Sequence, residues 1–208
     1  MLSNHSSPVI HYWAGRYKES AWLMGPRGYW KTKLRHWMPY ALDNDVYACW
    51  TQKEEWDEDE YFKALDRIAL EGQKPMWVAV PDAIGNRGLT LKRWEKYADR
   101  ISKYKWPMTM VVQDGMTLGD IPSEVDMIFV GGTTEWKWRN LNQWFDAGKR
   151  VHVGRVNSLH RVWLCHDLGC ESVDGTGWFR HGDDHNQLLR LESYFKRERP
   201  LETMELFN

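Results

Sequence analysis

The fold is decided by residues 76–115, which read MWVAVPDAIGNRGLTLKRWEKYADRISKYKWPMTMVVQDG. Two apolar runs of strand length, Met76–Val80 and Met108–Val112, enclose a longer polar stretch. Within that stretch, from Thr90 to Tyr104, apolar residues recur at the spacing of one helix face. A strand, a helix and a second strand in this order predict a βαβ unit with parallel strands.

The same alternation runs through the rest of the chain. The other strand-length runs are Val9–Ala14, Tyr40–Leu42, Met127–Val130, Val151–Val156 and Glu171–Val173. The other helix-like stretches are Asp57–Leu70, Asn140–Ala147, Ser158–Leu168 and Asn186–Arg197. Strands alternating with helices predict an α/β fold, here a compact, incomplete TIM-like (β/α)8 barrel, with a doubly wound open sheet as the alternative. No linker-like composition divides the chain, so we expect residues 1–208 to form one domain.

Composition limits the possible partners and compartments. The net charge of -1 indicates that any nucleic-acid binding must use a local basic patch. No apolar run is long enough to span a bilayer, and the polar N-terminus predicts no export. Three cysteines are too few for a disulfide framework, so a cytoplasmic location is expected. Cys165 and Cys170 lack the close spacing of a zinc site despite nearby His160 and His166, so no cofactor is expected.

Polar or glycine residues follow five of the predicted strands. They are Asp43, Asp82, Gln113, the pair Gly131-Gly132, and Asp174. Because the carboxyl ends of barrel strands meet at one face, where active sites are built, we expect these residues to converge. A single aspartate after a strand is often only a turn former or a helix cap. Agreement among five strand ends favours a site.

These five positions, in this order, resemble the tRNA-guanine transglycosylase superfamily. The closer likeness is to its DNA-acting branch in phages and bacteria, which installs 7-deazaguanines in DNA. The segments that carry the resemblance are Tyr40–Asn44 (YALDN), Val80–Gly85 (VPDAIG), Val111–Gln113 (VVQ), Phe129–Gly132 (FVGG) and Ser172–Thr176 (SVDGT). The cysteine cluster that binds zinc in the tRNA enzymes is absent, which favours DNA over tRNA. The second position after Asp43, usually glycine in the family, is Asp45 here.

The resemblance implies a glycosyltransferase of the queuosine-related, base-exchanging kind. It would replace guanine in DNA by a preQ0-type 7-deazaguanine through a covalent aspartyl–sugar intermediate. Asp174 would be the nucleophile and Asp43 the general acid and base. The implied substrate-binding residues are Asp82, Gln113, Gly131, Gly132 and Asn44.

This chemistry accounts for the residue types. Base exchange with retention needs two inversions, which a nucleophilic carboxylate provides, and a second carboxylic acid to move protons. Glycine lets a planar base approach the backbone closely. The expected partners are a flipped-out or single-stranded DNA guanine and a free 7-deazaguanine base, with the protein as a monomer or weak homodimer in the cytoplasm of a bacterium or phage host.

The candidate DNA contacts come from local basic clusters. They are Arg155, Asn157, Arg161, Lys137 and Arg139. Trp136 and Trp138 alternate with the last two cations and could stack on bases. The alternative interpretation is a surface helix with ordinary ion pairs.

Other functions remain open at this point. A tRNA-guanine transglycosylase or a nucleoside or glycoside hydrolase would use the same pair, Asp43 and Asp174. A non-catalytic module that binds single strands would use only the aromatic and basic surface. A metal-dependent phosphoesterase is disfavoured, because the acids do not cluster with histidine ligands.

Overall fold

A computed structural model describes residues 1–3, 8–31, 34–180 and 185–199. Eight parallel strands lie side by side in chain order, each hydrogen-bonded to the next. The strands are β1 (Leu2–Ser3), β2 (Ala21–Met24), β3 (Tyr40–Leu42), β4 (Val78–Ala79), β5 (Met108–Val112), β6 (Met127–Val130), β7 (Arg150–Val153) and β8 (Ser172–Val173). Within the described ranges no ladder joins β8 to β1, so the chain forms a TIM-like barrel that is incomplete, as predicted.

Helices connect the strands. The α-helices are α1 (Pro8–Arg16), α2 (Pro26–Lys31), α3 (Val46–Gln52), α4 (Glu58–Glu71), α5 (Arg87–Ser102), α6 (Thr134–Arg139), α7 (Leu159–Asp167), α8 (Gly177–Arg180) and α9 (His185–Phe195). Short 3-10 helices cover Leu118–Asp120 and Asn142–Ala147. None of the helices in the described part of the chain is long and apolar enough to cross a bilayer.

Strand alternation divides the apolar residues into two layers. Side chains on one face of the strands form a small inner cluster in which Trp77 and Phe129 pack among small residues such as Ala41 and Ala79. Side chains on the other face, such as Met110 and Val112, join the helices in a larger outer core. Because successive strand residues point to opposite faces, Gln113 follows Thr109 and Val111 on the inner face, and Asp174 follows Ser172. The alternation therefore aims these polar residues at the mouth of the barrel.

The helix ends follow local sequence signals. The Asp57 side chain accepts a hydrogen bond from Glu60 N, and Gly72 ends α4 in the left-handed conformation. The Asn86 side chain accepts from Leu89 N at the start of α5. These caps fix where α4 ends and where α5 begins. They therefore set the limits of the segment that carries Asp82 to the barrel mouth.

The first part of the barrel differs from the prediction. Val9–Ala14, predicted as a strand, lies within α1, because a short apolar run does not distinguish a strand from a helix. The strands in this region are Leu2–Ser3 and Ala21–Met24, which the sequence patterns did not indicate. Tyr40–Leu42, Met108–Val112 and Met127–Val130 have the predicted bounds. Eight strands therefore replace the seven expected.

Candidate functional site

The carboxyl ends of the strands surround a cavity of about 290 Å³. All seven residues expected to act as catalytic or substrate-binding groups line it. They are Asp43, Asn44, Asp82, Gln113, Gly131, Gly132 and Asp174. Arg155 lines it as well, after β7. Residues from six different strand ends thus meet in one place, although the roles assigned to them stay predictions.

Asp82 is held between two amide side chains from the neighbouring strands. Asn44 Nδ2 donates to Asp82 Oδ1 at 2.9 Å, and Gln113 Nε2 donates to Asp82 Oδ2 at 2.5 Å. The amide orientations are determined, because Gln113 Oε1 accepts from Gly85 N and Asn44 Oδ1 accepts from Val46 N. Burial raises the pKa of Asp82 to about 6, while the hydrogen bond from Asn44 opposes that shift. We call Asn44, Asp82 and Gln113 the amide clamp.

Asp43 lies beside the amide clamp and is partly exposed to the cavity. Its Oδ1 accepts a hydrogen bond from Asn44 N at 2.9 Å. Burial and the nearby charge of Asp45 raise the pKa of Asp43 well above its ordinary value, and the charges of Asp174 and Asp82 add to the shift. The protonated acid is therefore favoured at this position.

Asp45, which follows Asn44, has a strained backbone conformation. Its φ of 59° and ψ of 6° are left-handed, a region that aspartate enters more readily than most residues. The Asp45 Oδ2 atom accepts from Arg27 N at 2.9 Å. Gly25 makes room for this carboxylate, since a Cβ there would lie 1.9 Å from Asp45 Oδ1. Asp45 therefore has a structural role in this turn, and its charge raises the pKa of the nearby Asp43.

Asp174 follows β8 on the opposite side of the cavity and is 9% exposed. Its Oδ1 accepts from Arg155 N at 3.0 Å, and its Oδ2 lies 3.1 Å from His152 Nε2. Arg155 has a left-handed φ of 57°, which turns its N–H toward the carboxylate. His152 was not among the predicted site residues. The sequence signal that could have identified His152 is its inner-face position in β7.

The two glycines after β6 are required by side-chain packing. A Cβ on Gly131 would lie 2.9 Å from Gln113 Nε2, and one on Gly132 would lie 2.5 Å from Trp136 Cε3. Gly132 also has a left-handed φ of 69°. Packing around these two positions therefore explains both glycines, and no planar base against the backbone is needed to explain them.

Arg155 is the only basic side chain among the described residues that line the cavity. Its guanidinium donates to the carbonyl of Gly132 and lies over the ring of Tyr47, 4.9 Å from the centroid. Three carboxyl groups share the same cavity. The site therefore presents mainly hydrogen-bond acceptors.

None of the other candidate DNA contacts lines this cavity. Lys137 is 1% exposed, its ammonium donates to Gly154 O, and burial lowers its pKa to about 8. Lys137 therefore does not reach a phosphate at the surface, which corrects that expectation. Arg139 pairs with Glu135 at 2.6 Å, Arg161 lies over Trp138, and Asn157 accepts from Gly177 N. DNA binding and the oligomeric state are untested and stay predictions.

No cluster in the described part of the chain suits a metal ion. Three or more histidine, cysteine, aspartate or glutamate side chains nowhere come together there in a metal-binding arrangement.

Comparisons with known proteins support the fold and overturn the family assignment. No family model and no curated protein matches the chain. The chain is similar to the crystal structure of 3-hexulose-6-phosphate synthase from Salmonella typhimurium, with a TM-score of 0.51 and 11% identity, over 95% of this chain and 98% of that one. That similarity shows the barrel fold.

The resemblance to tRNA-guanine transglycosylases is wrong, and so is the DNA guanine transglycosylase function drawn from it. The hexulose phosphate synthase whose structure is similar is from a different barrel family, and no family or curated match supports the transglycosylase assignment. The 7-deazaguanine and DNA-modification roles fall with it. The physical reason is that aspartate, glutamine and glycine at strand ends are what any barrel needs for turns and for a polar mouth.

Proposed function

We propose that the protein is an enzyme that transfers protons on a small, uncharged or cationic molecule bound at the carboxyl end of the barrel. The observation that carries the proposal is that Asp43 and Asp174 line one cavity in different environments. The surroundings of Asp43 favour its protonated form, and a second carboxyl group in the same cavity can receive a proton, so the two can form an acid–base pair.

The environments assign the roles. Burial and neighbouring negative charge raise the pKa of Asp43, so this residue is the proton donor. Asp174 accepts a backbone hydrogen bond from Arg155 N, an arrangement suited to a carboxylate that receives a proton. One proton passes from Asp43 to the ligand and one passes from the ligand to Asp174, so the charge of the ligand is unchanged. Exchange with water then removes the proton from Asp174 and restores the proton of Asp43, which completes the cycle.

The lining favours a ligand rich in N–H or O–H donors. Three carboxyl groups face the cavity, and the guanidinium of Arg155 already donates to Gly132 O. With Asp43 protonated as the proton donor, the carboxylates of Asp82 and Asp174 still attract hydroxyl, amine or amide groups and repel anions.

A phosphorylated ligand is disfavoured by the loops after β7 and β8, where barrel enzymes often bind phosphate. The N–H of Arg155 donates to Asp174, and the N–H of Gly177 donates to Asn157. Although the similar solved structure is by name a synthase of a hexulose phosphate, we do not extend a phosphate substrate to this chain.

The test is a search for a substrate with matched variants. The purified protein is incubated with a mixture of neutral polyols, sugars, amines, nucleosides and phosphate esters, and each compound is followed by mass spectrometry and by proton NMR in D2O. We expect an uncharged or cationic compound to change with the wild-type protein and with Asp99→Asn, whose side chain is exposed on α5. Asp43→Asn and Asp174→Asn should each abolish that change.

Two results would count against the proposal. Turnover of a phosphate ester would contradict the ligand class. Undiminished turnover by Asp43→Asn and Asp174→Asn, with both variants folded by circular dichroism, would contradict the catalytic pair.

A further inference from the structure

A chain of polar side chains runs inside the barrel behind Asp174. β7 and β8 pair in a register that places His152 beside Ser172. Ser172 Oγ lies 2.8 Å from His152 Nδ1, and His152 Nε2 lies 3.1 Å from Asp174 Oδ2. Both ring nitrogens of His152 are therefore within hydrogen-bond distance of a partner.

The imidazole of His152 is fully buried and held by aromatic rings. It is 0% exposed, and its centroid lies 4.4 Å from that of Phe129 and 4.9 Å from that of Trp77. These walls restrict rotation of the ring, so its nitrogens keep their directions. A polar ring at this depth costs stability unless both nitrogens are hydrogen-bonded.

The partners determine which nitrogen carries the proton. The carboxylate of Asp174 accepts from Arg155 N at one oxygen and has only acceptor capacity at the other when ionised. His152 Nε2 must then be the donor, which leaves Nδ1 as an acceptor for the hydroxyl of Ser172.

Burial favours the neutral form of this ring. Desolvation lowers the pKa of His152, and the positive charges of Lys137 and the Met1 amino group act in the same direction. Only the hydrogen bond and charge of Asp174 oppose them. A neutral ring has one donor and one acceptor, which matches the two partners.

We propose that His152 is a positioning residue that holds Asp174 by an Nε2–H donor, with Ser172 fixing the tautomer of the ring. The importance of this contact for turnover rests on the proposed function of Asp174, whereas the tautomer does not. Arg155 N fixes one oxygen of the carboxylate and His152 fixes the other, so the carboxylate plane is set by two contacts from β7 and its following loop.

The first test needs no substrate. Two-dimensional ¹⁵N NMR of the histidine rings in the full-length protein identifies His152 by comparison with His152→Gln. We expect a protonated Nε2, a non-protonated Nδ1 and a pKa below the ordinary value of an imidazole. In Ser172→Ala, which removes the donor to Nδ1, the ring should show a mixture of both tautomers. A protonated Nδ1, a pKa raised above the ordinary value of an imidazole, or an unchanged tautomer in Ser172→Ala would overturn the proposal.

The second test uses turnover of the substrate found above. His152→Gln keeps an amide donor for Asp174, whereas His152→Leu keeps the volume without a donor. A lost hydrogen bond to a charged group predicts that His152→Leu lowers kcat by about 10- to 100-fold with KM little changed, and that His152→Gln recovers part of the loss. Equal losses in both variants, at equal melting temperature, would overturn the positioning role.

The two tests separate the two claims. If the tautomer is as expected but Asp174→Asn leaves turnover intact, the proposed function is wrong. The hydrogen bond from His152 to Asp174 then has a structural role only. If Asp174→Asn abolishes turnover but the ring has the other tautomer, the proposed function stands and the positioning role of His152 fails.

Discussion

Asp82 and Asp174 are both buried carboxyl groups at the mouth of the barrel, but different kinds of partner hold them. Asp82 bonds to two side-chain amides from neighbouring strands. Asp174 bonds to a backbone N–H and lies against a buried imidazole. The amides of the clamp are in turn fixed by backbone groups, so Asp82 belongs to a closed network within the barrel wall. The comparison indicates that Asp82 shapes the cavity and that Asp174 acts in it.

The largest expected effect is the loss of activity when Asp174 is replaced. Asp174→Asn removes the proton acceptor and should lower kcat by about 10²- to 10⁴-fold, the usual contribution of a general base. Asp99→Asn, on the exposed face of α5, should have full activity. The measurement is kcat for the substrate found by the panel. A loss in Asp174→Asn that is matched by unfolding in circular dichroism would indicate a structural role instead.

The second prediction tests the closed network around Asp82. Gln113→Ala removes the donor to Asp82 Oδ2 and the acceptor for Gly85 N, and leaves buried groups unpaired. We expect the free energy of unfolding to fall by about 3 kcal/mol, measured by urea denaturation. Gln143→Ala, at a half-buried position of the second 3-10 helix, is the matched control and should cost less than about 1 kcal/mol. Similar losses in both variants would show that the clamp does not stabilise the barrel.

Some strands and the convergence of the aspartates could be predicted from the sequence, whereas the first helix could not. β3, β5 and β6 were predicted with their observed bounds, because each is a continuous buried apolar run followed by a polar residue or glycine. Convergence of Asp43, Asp82 and Asp174 followed from barrel geometry alone. α1 was predicted as a strand, because a short run of mixed aromatic and β-branched character fits either structure.

Burial and partner choice were beyond the sequence patterns. Lys137 and Arg139 look alike as basic neighbours of tryptophan, yet one is buried against Gly154 O and the other pairs with Glu135 at the surface. His152 gained its place behind Asp174 from the register of β7 and β8. Such contacts depend on tertiary packing between distant segments, which local periodicity does not record.

The third prediction uses the pH dependence of stability. The pKa of Asp82 is about 6 in the folded protein, above its ordinary value of 3.8, so the folded state binds this proton more tightly. The stability it contributes is complete below the lower value and is lost as the pH rises through about 6. Between about pH 4 and about pH 7, the wild-type protein should lose about 2–3 kcal/mol more than Asp82→Asn.

The measurement is urea unfolding of both proteins at several pH values across that range. Asp43, whose pKa is also raised, is present in both proteins, and the charge of Asp82 contributes to that shift, so the difference between the curves reports Asp82 together with its coupling to Asp43. The amide group introduced by Asp82→Asn places N–H donors against the donors of the amide clamp. This cost is independent of pH, so it shifts the free energy of unfolding equally at every pH. Parallel curves would mean that the Asp82 proton is bound equally in the folded and unfolded states.

The smallest expected effect compares the glycines behind the two carboxylates. A Cβ on Gly131 would lie 2.9 Å from Gln113 Nε2, whereas one on Gly154 would lie 2.5 Å from Phe129 Cε2 and 3.2 Å from Asp174 Oδ2. Each alanine variant should lose about 1–2 kcal/mol by overpacking, measured by urea denaturation. Gly15→Ala in α1, with nothing within 4 Å of the new Cβ, should be neutral or slightly stabilising.

The two variants should differ in what they do beyond stability. Gly131→Ala displaces the clamp, so the slope of stability against pH should change while kcat is retained. Gly154→Ala displaces Phe129 and the carboxylate of Asp174, so kcat should fall although the pH slope of Asp82 is unchanged. If both variants lowered kcat equally, the clamp and the Asp174 side would form one functional unit, and the division between cavity wall and acting carboxylate would be wrong.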